Sequence, residues 1–133
     1  MDKVIVDTSA WIESFRPTGE AKLKEALKEL ISDGKILLSG IIKTELLRGT
    51  KSKKEFQMLG ELLDSLIYLS VEDDFWRRLA RFSFDLFREG VTVPLADTYV
   101  ALLAIENDVP LLHHDTHFDL IARKTGLKIL EVK

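Results

Sequence analysis

Lys3-Val4-Ile5-Val6-Asp7-Thr8-Ser9-Ala10-Trp11-Ile12 opens the chain with an apolar run, an acid and two hydroxyl residues. Val4, Ile5 and Val6 are β-branched and uninterrupted by polar residues, the pattern of a central parallel strand covered on both faces. Asp7, Thr8 and Ser9 bring side chains that cap a helix, and Ala10 to Phe15 is predicted to form one. A buried strand that runs straight into a helix is how a parallel α/β unit begins.

The same alternation repeats downstream. Arg16-Pro17-Thr18-Gly19 breaks the first helix, and Leu23, Leu27, Leu30 and Ile31 set an apolar stripe at helical spacing over Glu20 to Ser32. Asp33-Gly34 ends that helix. Lys35 to Ser39 is predicted as a second strand, Gly40 to Arg48 as a helix stopped by Gly49, and Lys51 to Ser65 as a helix with Phe56, Leu59, Leu62 and Leu63 inward. Leu66 to Leu69 reads as a third strand. Ser70 and Asp73 resemble a capping arrangement before a long helix to Glu89, with Phe75, Leu79, Phe82 and Leu86 on its inner face and Gly90 at its end. Pro94 suits the first turn of a helix that runs to Asn107. Pro110 to His113 is a fourth strand, Thr116 to Lys124 a helix, Gly126 a stop and Leu127 to Val132 a last strand. The expectation is a single α/β domain over residues 1–133 with a central, mainly parallel sheet.

The totals narrow the class. The 133 residues are 46% hydrophobic and 31% charged, which fits a globular domain with a substantial core and argues against disorder. No apolar stretch approaches the roughly 20 residues that span a bilayer. The start of the chain lacks the basic, apolar and small-residue order of a signal peptide, so a cytoplasmic location is expected. With no cysteine, disulfides, thiolate catalysis and cysteine-based zinc sites are excluded. The formal charge of −3 is not that of a general nucleic-acid binder, although two bound divalent ions would reverse its sign.

That possibility matters because four carboxylates stand on or beside apolar segments. Asp7 ends Val4-Ile5-Val6, Glu45 shares a helix stripe with Ile41 and Ile42, Asp97 lies within Leu95 to Ile105, and Asp115 follows Pro110-Leu111-Leu112. Ligands of parallel sheets bind beyond the carboxyl ends of the strands, where Asp7 and Asp115 are expected and where the helices carrying Glu45 and Asp97 begin. Each acid also has a plainer explanation. Asp7 and Asp115 can simply cap helices, Asp97 can answer a helix dipole for up to about 1 kcal/mol, and Glu45 can pair with Arg48. Together, four acids without evident cationic partners point to a divalent-cation site, because an isolated buried carboxylate costs several kcal/mol. Mg²⁺ or Mn²⁺ prefers such oxygen ligands, and water-mediated phosphodiester cleavage is the chemistry that follows.

Other residues qualify this picture. His113, His114 and His117 allow an alternative zinc site, but they lack a helical i,i+4 pair; one imidazole lining the acidic pocket is the expectation. Ser9, Thr8, Thr98 and Thr116 sit beside key acids and can hold them by hydrogen bonds, with capping an equal alternative for Ser9 and Thr116. Arg48, Lys51, Lys53 and Lys54 can meet phosphates or form a solvated helix face, as can Arg77, Arg78, Arg81 and Arg88.

These segments resemble the ordered motifs of the PIN-domain family. Val4 to Ile12 resembles the opening strand and acid, Lys43-Thr44-Glu45-Leu46-Leu47-Arg48-Gly49 the second motif, and Pro94 to Ala101 the third. Leu111 to Phe118 is similar to the closing acidic motif, with His117 where members often carry Asp or Asn. The resemblance implies a three-layer α/β/α sandwich and a metal-dependent nuclease site built from Asp7, Glu45, Asp97 and Asp115, with Mg²⁺ or Mn²⁺ as cofactor. Ser9, Thr98 and His117 are the expected accessory residues. Members of this size are commonly ribonuclease toxins of VapBC-type toxin–antitoxin pairs. The implied partners are therefore an RNA substrate, a small VapB-like antitoxin and a second copy in a homodimer, with no membrane. A PIN-domain nuclease that processes RNA outside any toxin system is an alternative, as is a non-catalytic RNA- or protein-binding module on the same fold. A phosphate-transfer domain also places Asp after its first strand, but the second Asp of the dehalogenase kind is replaced here by Ser9.

Overall fold

A computed structural model describes residues 2–133. Four strands form one sheet: β1 (Val4–Val6), β2 (Ile36–Ser39), β3 (Ile67–Leu69) and β4 (Leu111–Leu112). Around it lie α1 (Thr8–Phe15), α2 (Ala21–Ser32), α3 (Gly40–Arg48), α4 (Lys53–Asp64), α5 (Phe75–Arg88), α6 (Leu95–Glu106) and α7 (Thr116–Lys124). The order is β3-β2-β1-β4 and every pairing is parallel. Val4 pairs with Ile36 and Ile5 with Leu37, while Ile5 and Val6 pair on their other side with Leu111 and Leu112. Every residue of β1, β2 and β4 is buried, as the unbroken apolar runs anticipated.

This order places the site. From β1 the chain moves outward through β2 to β3, then crosses back to lay β4 on the opposite side of β1. Right-handed crossovers then put the helices before β3 on one face and those between β3 and β4 on the other, which makes a three-layer α/β/α sandwich. The direction reverses between β1 and β4. A crevice opens at such a switch point beyond the carboxyl ends of the strands, where Asp7 and Asp115 emerge. Asp7 N donates to Leu112 O at 2.9 Å, which locks the two strand ends together.

Four expectations need correction. Leu127 to Val132 makes only an isolated bridge, Ile129 to Leu111, instead of a strand. The cause is β4, which is two residues long: Pro110 has no N–H before it, and Asp115 N turns back onto His113 Nδ1 at 3.0 Å after it. Pro110 and His113 accordingly lie outside the strand, although Pro110 O still accepts from Ile5 N at 3.1 Å. Phe56 is exposed rather than inward, because α4 packs mainly on α3 and leaves its first turn uncovered. Finally, α5 starts at Phe75 without a side-chain cap, since the Asp74 carboxylate is engaged by Arg77 and Arg78 instead.

Candidate metal centre

Asp7 is the residue that turns β1 into α1. Its Oδ2 accepts from Ser9 N at 2.9 Å and from Ser9 Oγ at 2.6 Å, so it caps the helix while remaining only 5% exposed. Asp115 does the same for α7, where Oδ1 accepts from His117 N at 2.9 Å. The capping explanation therefore holds for both, and each such carboxylate still has a second oxygen. Glu45, half-buried on α3, accepts from Thr8 Oγ1 at 2.7 Å through Oε1. Asp97 stands in the first turn of α6, its side chain 16% exposed, with Oδ2 2.8 Å from His117 Nδ1. That ring nitrogen also lies 3.3 Å from Asp115 Oδ1.

Burial pushes the Asp7 carboxyl up from its ordinary pKa; the Ser9 hydrogen bonds oppose this, and repulsion from Asp97 and Glu45 adds to it. Burial also raises Asp97, the His117 hydrogen bond opposes the rise, and the charges of Asp115 and Glu45 reinforce it. The four acids thus feel one another across one crevice. No lysine or arginine among the described residues pairs with any of them, and the Glu45–Arg48 ion pair does not form. Asp7 Oδ1, Glu45 Oε2, Asp97 Oδ1 and Asp115 Oδ2 have no protein donor among the described residues.

The accessory expectations separate. Ser9 holds Asp7 and in turn accepts from His114 N at 2.9 Å, which ties α1 to the loop after β4. Thr8 holds Glu45. Thr98 is buried and bonds Pro94 O at 3.4 Å, so it braces its own helix and does not reach an acid. The three imidazoles diverge, which removes the shared zinc site. His113 packs on Phe118 with ring centroids 5.2 Å apart, His114 faces Glu13 and Glu20, and only His117 lines the acidic pocket.

The model of the PIN domain family matches residues 4–124. The chain belongs to the PIN domain family. It is 35% identical over 130 residues to "VapC ribonuclease Mb1587" of Mycobacterium bovis, covering 94% of this chain and 96% of that protein. It is 28% identical over 130 residues to "Ribonuclease VapC1" of Methanocaldococcus jannaschii, covering 97% and 88%. Its fold matches that of VapBC2 from Rickettsia felis, solved bound to a DNA fragment from its promoter, with a TM-score of 0.77, 19% identity and 98% coverage of each chain.

The donor chemistry of this PIN domain fits the divalent cation that its family implies. Asp97, Asp115 and His117 bring ligand atoms within 4.8 Å of one another, Asp7 and Glu45 lie near enough to repel Asp97, and each of the four carboxylates has an oxygen left free; a hard cation is the partner such a set accommodates. Sequence reading missed the links that hold the set in place. His114 N to Ser9 Oγ joins residues 105 positions apart, and His113 Nδ1 takes the backbone N–H of Asp115. No local pattern signals the first bond, which exists only once β4 lies beside β1; the second is a local turn two residues long.

Proposed function

We propose that this protein is a metal-dependent endoribonuclease that hydrolyses RNA phosphodiester bonds and serves as the toxin of a VapBC-type pair. One observation carries the reading: four carboxylates at the switch point keep free oxygens, and no lysine or arginine among the described residues pairs with them. The ribonuclease names of its relatives, at 35% and 28% identity along nearly the whole chain, support the same conclusion. Asp7, Glu45, Asp97 and Asp115 would hold Mg²⁺ or Mn²⁺, which when bound offsets phosphate charge and makes an attacking water more acidic. The protein's own part is positioning. Ser9 fixes the rotamer of Asp7, Thr8 fixes Glu45, and His117 spans Asp97 and Asp115.

Arg48, Lys51, Lys53 and Lys54 extend from the Glu45 helix into α4, and none has an ion-pair partner among the described residues. Free cations beside an acidic crevice suit RNA phosphates. The α5 arginines differ, since Arg77, Arg78 and Arg81 are paired with acids. A small antitoxin is the proposed protein partner. A second copy is also proposed, and exposed Phe84, Phe87 and Leu95, which line one shallow cleft, suit its surface.

The deciding experiment is cleavage of a labelled RNA in Mg²⁺ or Mn²⁺. Excess EDTA should abolish cleavage and excess metal should restore it. Undiminished cleavage in chelator would rule the mechanism out. Among the described residues no helix is long and apolar enough to cross a membrane.

A further inference from the structure

His117 occupies a position that a hydrogen-bonding brace alone does not require. Its backbone N–H already caps onto Asp115 Oδ1, so the start of α7 is anchored without the ring. The ring nevertheless points its Nδ1 between two acids, 2.8 Å from Asp97 Oδ2 and 3.3 Å from Asp115 Oδ1. Neighbouring ligands of a six-coordinate ion with bonds of about 2.0–2.1 Å stand roughly 3 Å apart. The nitrogen therefore already lies at the spacing of adjacent ligands from each oxygen. The ligand atoms of Asp97, Asp115 and His117 all fall within 4.8 Å of one another. The other two imidazoles are held elsewhere, so any nitrogen that enters this centre comes from His117.

We propose that His117 Nδ1 is itself a ligand and, with Asp97 and Asp115, forms a mixed nitrogen–oxygen subsite that favours a first-row transition ion such as Mn²⁺ over Mg²⁺. The proposal rests on the metal-centre reading above and specifies its ligand set. Mg²⁺ favours oxygen and sheds water reluctantly, whereas imidazole suits transition ions. Residues 97, 115 and 117 thereby distinguish this centre from one lined by carboxylates alone. Nδ1 would bind the ion through its lone pair, so the ring would enter the centre as the tautomer that carries its proton on Nε2.

Mn²⁺ and Mg²⁺ affinities measured by calorimetry, together with pulsed EPR of the Mn²⁺ complex, test this on the full chain. Wild type and His114→Ala should show ¹⁴N coupling to bound Mn²⁺, and His117→Ala should lose it. The preference for Mn²⁺ over Mg²⁺ should fall about tenfold in His117→Ala. His117→Asp should bind Mg²⁺ well without nitrogen coupling, which shows that the site is still folded. If Mn²⁺ binds and Asp97→Asn abolishes binding, yet no coupling depends on His117, the ring is a brace and this proposal fails while the metal centre stands. If no Mn²⁺ binding depends on Asp97, both fail.

Discussion

Acids gather at two places in this molecule, and they are managed in opposite ways. Between the start of α5 and the end of α6, Arg78 gathers Glu72, Asp74 and Glu106: Nη2 to Glu72 at 2.5 Å, Nη1 to Asp74 at 3.1 Å and Nε to Glu106 at 2.6 Å. At the switch point Asp7, Glu45, Asp97 and Asp115 converge with no such cation, and burial and mutual repulsion push Asp7 and Asp97 up. The first cluster is exposed and supplies its own counter-charge. The second is more deeply buried and is bonded to hydroxyls, backbone N–H groups and one imidazole. A cluster that serves only the fold has no reason to accept that arrangement, because unpaired buried charge is the costlier of the two. The contrast supports the proposed metal site more sharply than either cluster does alone.

The contrast breaks most visibly through activity. Asp97→Asn and Asp7→Asn keep size and most hydrogen bonding but remove a charge from the centre. Each is expected to reduce RNA cleavage by more than about 100-fold, the upper range seen for residues that merely support ligands. Cleavage at the wild-type rate in both variants, with folding checked by circular dichroism, would place the chemistry elsewhere. Ser9→Ala should cost less, about 10- to 100-fold, since it frees Asp7 to rotate without removing its charge. A rate unchanged within a factor of two would reduce Ser9 to a capping residue.

Much of the placement of these acids was legible before the fold was known, and the reasons are specific. Val4-Ile5-Val6 and Leu111-Leu112 are apolar without interruption, which only a strand covered on both faces explains, so the acids that follow them land at one sheet edge. Asp97 stands out because α6 is buried over Thr98 to Ala104. The failures came where length or tertiary neighbours decide. Leu127 to Val132 has the composition of a strand, but a two-residue partner allows only one bridge. Ser70 and Asp73 match a cap, yet Asp74 is recruited by arginines from the next helical turn. Thr98 neighbours Asp97 in sequence but is rotated by about 100° on the helix, which turns it into the core. Adjacency along a helix is not adjacency in space.

Stability reports the same contrast with the opposite sign. The folded-state pKa values of Asp7 and Asp97 lie above their unfolded values, so the native state holds protons more tightly. Their contribution is favourable below the unfolded pKa and is lost as pH rises through the folded one. At pH 7 and without metal, Asp7→Asn should therefore raise the melting temperature by about 2–5 °C. The amide oxygen can still accept the Ser9 N–H, so the cap survives. The gain should vanish as pH falls towards 4. In Mn²⁺ at about 100 times its dissociation constant the order should reverse, because only wild type gains the roughly 2.7 kcal/mol of linked binding. A variant less stable than wild type in chelator at pH 7 would show that the acids are not strained.

The smallest effect belongs to the exposed cluster. Arg78→Met removes the one cation shared by Glu72, Asp74 and Glu106 but keeps an apolar stem against Phe75, whose ring lies 5.8 Å from the guanidinium carbon. Solvent screens these charges well, so only a small fall in melting temperature is expected, smaller than the change made by Asp7→Asn. The deficit should shrink in 1 M salt, where charges more than about 3 Å apart are screened. RNA cleavage should be unaffected. Equal losses of activity from Arg78→Met and Asp97→Asn would erase the distinction between the clusters, since a residue outside the crevice would then matter as much as one inside it.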